Sequence, residues 1–174
     1  MEHINQSNTS SKDENLCHGA DLANVDIDQI WAEIREAAVS MAAEESHLHR
    51  MLEDVVISRD SLAESLAARL ARRLSREDMK RCELEPLMCN LLKGNDKVML
   101  SVARDMTAIV DRDPACQSAL EPLLFYKGFL AICAYRVSHR LWLDGRKPLA
   151  LYFQSIVSEI FGVDIHPAAQ IGCG

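Results

Sequence analysis

An all-α fold, built as an array of short helices, is predicted by three features of the 174-residue sequence. Its composition is 48% hydrophobic but only 5% aromatic, because Ala and Leu dominate, and these side chains lose little conformational freedom in a helix. Apolar residues recur at steps of three and four along most of the chain. Ser, Asp, Pro and Gly punctuate those runs where helices start and stop. Three regions follow. Residues 1–24, rich in Ser, Asn, Asp and Gln, are expected to be a disordered tail. Residues 25–162 form the helical domain, and residues 163–174 change character.

Asp26 is the expected N-cap of a helix carrying Ile27, Ile30, Trp31, Ile34, Ala38 and Met41 on one face. Leu48, Met51, Leu52, Val55 and Val56 continue the rhythm in a second segment. Ser61 and Glu64 form a capping-box pattern ahead of Leu62, Leu66, Leu70 and Leu74. Ser75 with Asp78 reads as a further start, leading a helix to about Lys93 that Gly94–Asn95 ends. Asp96 to Val110 is the next helix, stopped by Pro114. Pro122 suits a first turn, and a helix from there to about Leu143 is apolar nearly all round through Phe129–Tyr135, as in a deep core or an interface. Gly145 closes it, Pro148 opens the last helix, and Gly162 follows its final apolar residue, Phe161. No strand is predicted up to that point. Beyond it, Ile165 and Ile171 are six apart with small or turn-forming residues between them. That spacing reads as the start of a hexapeptide β-helix, in which each aliphatic points inward.

The formal net charge of −7 argues against coating nucleic acid, which needs clustered positive charge. Arg69, Arg72, Arg73, Arg76 and Lys80 share a face, but Glu64, Glu77, Asp78, Glu83 and Glu85 lie near, so a solvated, ion-paired surface is expected rather than an anion site. Six cysteines show no C-x-x-C pair and are expected to be reduced. No metal site is predicted, since His47 and His49 flank Leu48 at a spacing no helical ligand pair uses. The longest apolar stretch, Phe129 to Tyr135, is far too short to cross a bilayer. The acidic, polar N-terminus resembles neither a signal peptide nor a transit peptide. A soluble cytoplasmic protein without membrane contact is expected.

Three stretches carry a resemblance. Arg112-Asp113-Pro114-Ala115 precedes Pro122-Leu123-Leu124-Phe125-Tyr126-Lys127-Gly128-Phe129; Ala134-Tyr135-Arg136-Val137 and His139 lead to Leu141-Trp142 and Gly145-Arg146; the chain ends on Phe161-Gly162-Val163-Asp164-Ile165-His166-Pro167-Ala168-Ala169-Gln170-Ile171-Gly172 and two further residues. In order and spacing this resembles serine acetyltransferase, densely from about residue 96 and more loosely over 26–95. The resemblance implies a hexameric acyltransferase that moves acetyl from acetyl-CoA to the L-serine hydroxyl, giving O-acetylserine in cysteine biosynthesis. Acetyl-CoA is then a co-substrate, no cofactor is tightly bound, and a left-handed parallel β-helix holds the CoA. A C-terminal tail docks many family members onto O-acetylserine sulfhydrylase.

Carried over by motif, Asp113 matches the aspartate that helps hold serine, and Asp164 matches the one that orients the catalytic histidine. That histidine belongs to the family's L-D-H-A-T-G motif, and the sequence stops at Gly174 ahead of it. His166 is no substitute, because it lies within V-D-I-H-P, and His139 reads as a structural polar contact. The 174-residue chain by itself is therefore expected to be inactive. The competing reading is a catalytically dead helical module for oligomerisation or interaction.

Overall fold

The computed structural model describes residues 25–174, so the tail expected over 1–24 lies outside the described residues. Eight α-helices, and no strand, occur among the described residues: α1 Ile27–Glu44, α2 Ser46–Leu52, α3 Leu62–Leu74, α4 Arg81–Lys93, α5 Asp96–Arg112, α6 Leu120–Phe125, α7 Lys127–Leu143 and α8 Lys147–Phe161. None of them is long and apolar enough to cross a membrane.

The local signals act largely as expected. Asp26 caps α1, accepting from the amides of Asp28 and Gln29 at 3.0 and 3.1 Å. Asn95 caps α5 through the amide of Val98 at 3.1 Å, and Gly162 ends α8 in the left-handed region at φ 70°. Ser61 accepts from the amide of Glu64 at 3.3 Å. Glu64 reaches back one residue further than a capping box requires, to the amide of Asp60 at 3.0 Å.

Three boundaries differ from the expectation. The second segment is α2 followed by one π-helical turn, Glu53–Ile57. Both the amide and the hydroxyl of Ser58 donate to the Glu53 carbonyl, at 3.1 and 2.7 Å, which fixes the wider turn. Ser75 does not start α4. It is the extended C-cap of α3, and Arg76 and Met79 close a tight turn by exchanging backbone bonds at 3.0 and 3.3 Å. Lys80 begins α4 instead, where Glu83 accepts the Lys80 amide at 3.2 Å. The long helix expected from Pro122 to Leu143 is two helices, broken at Tyr126, whose backbone is extended at φ −84°, ψ 102°.

The most extensive pairings are α7 with α8 and α3 with α4. Helix α3 is the central element, buried at Leu62, Leu66, Leu70 and Leu74. Phe153 and Phe161 from α8, Met88 and Leu92 from α4, Ile34 from α1 and Met106 from α5 join the same core. The apolar stretch of α7 is mostly covered within the chain: Phe129, Leu130, Ala131, Cys133, Ala134 and Tyr135 are buried, and only Ile132 is half-buried.

Residues 163–174 form neither helix nor strand. The segment runs back over α5 and α7. The expected inward aliphatics find no β-helix interior here: Ile165 is half-buried and Ile171 is exposed. A β-helix buries its aliphatics only when coils stack on one another.

Candidate active site

Asp113 sits at the C-terminus of α5, where Pro114 prevents the helix from continuing. Its amide donates to the Ile109 carbonyl at 2.9 Å, and its own carbonyl accepts from Cys116 at 3.0 Å. One carboxylate oxygen, Oδ1, accepts from the amide of Ala115 at 2.9 Å. This local turn orients the side chain, the habit of Asp before Pro. The second oxygen has no hydrogen-bond partner among the described residues.

The half-buried Asp113 lines a cavity of about 820 Å³ between the end of α5, the start of α7 and the final residues of the chain. Phe129 and Ile132 supply apolar walls, and Arg112, Tyr126, Asp105 and Arg136 supply polar ones. Arg136 donates from Nε and Nη2 to Oδ2 of Asp105, at 3.0 and 2.6 Å. The same Nη2 donates to the Gly172 carbonyl at 2.8 Å, and Asp105 Oδ1 accepts the Gly174 amide at 2.8 Å. Tyr126 is a donor throughout the neutral range: its hydroxyl is pushed up to about 12, first by desolvation, then by its contact with Cys116 and by the nearby carboxylates of Asp113 and Glu121. A larger cleft, about 1010 Å³, lies at the starts of α1, α3 and α5 and contains neither predicted site residue.

Asp164 is not brought to that cavity. It is exposed, accepts from Nε2 of Gln154 at 2.8 Å, and lines a separate shallow cleft with residues of α8. His139 makes the structural contact the sequence suggests: its Nδ1 lies 2.6 Å from the Pro167 carbonyl, which can only accept, so Nδ1 carries the proton. His166 Nδ1 accepts the Ala168 amide at 3.1 Å and so holds the turn around Pro167. The arginine cluster is structural, though with other partners than the expected glutamates. Arg72 pairs with Asp54 and Arg76 with Glu159, Arg73 lies over the Phe161 ring, and buried Arg69 donates to the Leu124 carbonyl at the end of α6. Cys82, Cys89, Cys116 and Cys133 are free thiols. Cys173 departs from the expectation of reduced cysteines, being disulfide-bonded.

Comparison with known proteins then decides the family. A sequence profile described as "Serine acetyltransferase, N-terminal" matches residues 30–134. The chain belongs to the serine acetyltransferase family. It is 45% identical over 154 residues to serine acetyltransferase 4 of Arabidopsis thaliana, covering 88% of this chain and 43% of that protein. It is 37% identical over 145 residues to the serine acetyltransferase of Haemophilus influenzae, covering 83% of this chain and 54% of that one. Among solved structures it is similar to a serine acetyltransferase in complex with CoA, with TM-score 0.82 and 36% identity over 85% of this chain and 63% of that one. It also resembles the Neisseria gonorrhoeae serine acetyltransferase in complex with serine, with TM-score 0.79 and 42% identity over 80% of this chain and 58% of that one. The chain thus spans about half the length of the curated relatives it matches.

Within this chain, the motif resemblance singled out Asp113 but not the groups that line the cavity with it. Arg136 lies in a stretch that carried the resemblance, yet nothing about a lone arginine on a helix marks it as part of a cavity. Asp105 and Tyr126 lie outside any spaced pattern of reactive residues. The packing of α5 beside α7 brings Asp105 to Arg136, and residues 172–174 line the cavity beside them.

Proposed function

We propose that this chain supplies the helical part of a serine O-acetyltransferase, which transfers acetyl from acetyl-CoA to L-serine in the first committed step of cysteine synthesis. The observation that carries the reading is Asp113, held by its own turn with one oxygen uncommitted, in a cavity of about 820 Å³ that residues 171–174 also line. A carboxylate there suits serine, whose ammonium and hydroxyl both donate. In the reaction the serine Oγ forms a C–O bond to the acetyl carbonyl and its proton passes to a histidine base. The C–S bond then breaks, and the CoA thiolate leaves and takes up a proton. The resemblance assigns that base to the L-D-H-A-T-G motif and gives Asp164 the role of orienting it. The exposed position of Asp164 leaves its carboxylate reachable by such a partner. Assembly as a homo-oligomer and CoA binding by the β-helix belong to the same proposal.

Steady-state kinetics on the complete enzyme, with serine varied at saturating acetyl-CoA, test it. Asp164→Asn is expected to lower kcat by roughly tenfold or more, the scale of weakened general-base catalysis, while sparing the KM for serine. Asp113→Ala is expected to raise that KM. Unchanged constants in Asp113→Ala would remove the serine-binding role from this position.

A further inference from the structure

We propose that Arg136 and Asp105 are positioning residues: a buried clamp that sets the wall formed by residues 172–174 in the Asp113 cavity, and so sets the fit of serine. This rests on the serine acetyltransferase reading above. The pair is well buried, with side chains 8% and 13% exposed. Removing two charges from water is expensive, and a packed apolar pair of similar size would give comparable stability. What an apolar pair would lack is the grip on residues 172–174. Each partner divides its hydrogen-bonding capacity between the other and that segment's backbone: Arg136 donates to Gly172 O at 2.8 Å, and Asp105 accepts from Gly174 N at 2.8 Å. The clamp thus takes one carbonyl and one amide of the same short segment, with opposite polarity at each, and this fixes the segment's direction as well as its place.

Two contacts from α7 lead into the clamp. His139 Nδ1 holds the Pro167 carbonyl at 2.6 Å, and the Tyr135 hydroxyl donates to the Ala169 carbonyl. Residues 135, 136 and 139 sit at helical neighbour spacing, so α7 serves as a template along which the segment is laid down. The side chain of Cys173 is held as well, by its disulfide and by Arg104 at 3.8 Å, but of the side chains that hold the segment's backbone only Arg136 and Asp105 also line the cavity with Asp113. Displacing the wall would therefore change the space and polarity offered to serine while leaving Asp113 in its own turn.

The test uses the complete enzyme and three variants: Arg136→Lys, Asp105→Asn, and the apolar double variant Arg136→Met/Asp105→Leu. The first keeps the charge but loses the fork. The double variant removes both charges and every hydrogen bond the pair makes to the segment. A merely structural pair predicts that any variant which keeps its melting temperature also keeps its kinetics. The clamp predicts a serine KM raised about tenfold or more, the scale of a small misplacement of a binding group. It also predicts an acetyl-CoA KM within about twofold of wild type, a split that global damage does not produce. Hydrogen exchange over residues 168–174, measured on the same samples, should quicken in the double variant. A serine KM within about twofold of wild type in folded Arg136→Lys and Asp105→Asn overturns the proposal, as does unchanged exchange in the tail. If the double variant does not fold, the two single variants decide. A wild-type enzyme that fails to acetylate serine would sink the parent reading instead, and the exchange measurement would still decide whether the clamp holds the segment.

Discussion

At Asp54 three arginines converge. Arg81 binds it with two nitrogens at 2.7 Å each, Arg72 lies at 3.2 Å and Arg59 at 3.4 Å. Glu85 adds a second carboxylate, at 2.6 Å from Arg59 and 3.0 Å from Arg81. The hydrogen bonds from Arg81 hold the Asp54 carboxyl below its ordinary value of 3.8 against an opposing push from burial, and the charges of Arg81, Arg59 and Arg72 add to the lowering. A carboxyl lowered in the folded state binds fewer protons there than in the unfolded chain. Its contribution is therefore complete above the ordinary value and fades as pH falls toward the folded one. Asp54→Asn is expected to cost about 1–2 kcal/mol at neutral pH, between the values for exposed and fully buried pairs. Urea denaturation of both proteins should show that difference constant from neutral pH down to mild acid and shrinking below about the ordinary value of 3.8. Cys133 offers a second check. Complete burial raises its thiol well above the usual range, with the Asp105 charge adding to the shift. A thiol reagent should modify exposed Cys82 in the native protein and leave Cys133 untouched until the chain unfolds.

The helix ends set the next scale. Gly162 closes α8 at φ 70°, and a Cβ added there would touch nothing within 4 Å. Gly162→Ala therefore isolates the backbone cost of the left-handed region, about 1 kcal/mol of lost stability. Gly128, in the first turn of α7, also has open space around it and no positive φ. Gly128→Ala should be neutral or stabilising by up to about 0.5 kcal/mol, because Ala is the better helix former. Thermal melts of the two variants should move in opposite directions, and a parallel fall would mean that Gly128 is held by something other than its backbone. The break at Tyr126 belongs to this scale as well. The Tyr126 carbonyl accepts the Leu130 amide at 3.1 Å and starts α7. Phe125, Tyr126 and Gly128 are weaker helix formers than Leu or Ala, but Tyr135, Val137 and Ser138 of the same class stand inside α7, so propensity alone does not place the break.

For the whole molecule, the helix read as apolar on every side has its own partners. Helices α8 and α6 lie against α7, and Phe129–Tyr135 is covered except at Ile132. The case for self-association thus moves from that helix to Val39, Phe125, Leu143 and Leu151, whose apolar side chains are exposed. Exposed apolar residues occur singly on most proteins, so the measurement matters. Sedimentation velocity at micromolar concentration is expected to show a species larger than a monomer. A clean monomer would place the assembly contacts outside these residues.

Sequence alone determined the all-α class, because helical period and capping are local properties written into neighbouring side chains. Asp26, Asn95, Pro148 and Gly162 mark helix ends for reasons that involve no distant residue. The turn at Asp113 was legible for the same reason, since it is closed by its own neighbours. The start of α4 was not: Ser75 with Asp78 carries the local start signal, but the backbone exchange between Arg76 and Met79 forms a turn there and moves the start to Lys80. Tertiary structure alone decided the cavity. Asp105 is 31 residues from Arg136 and 69 from Gly174, and no periodicity spans such distances. Their meeting depends on α5 and α7 packing side by side, which the burial of many apolar side chains arranges together and no single residue specifies.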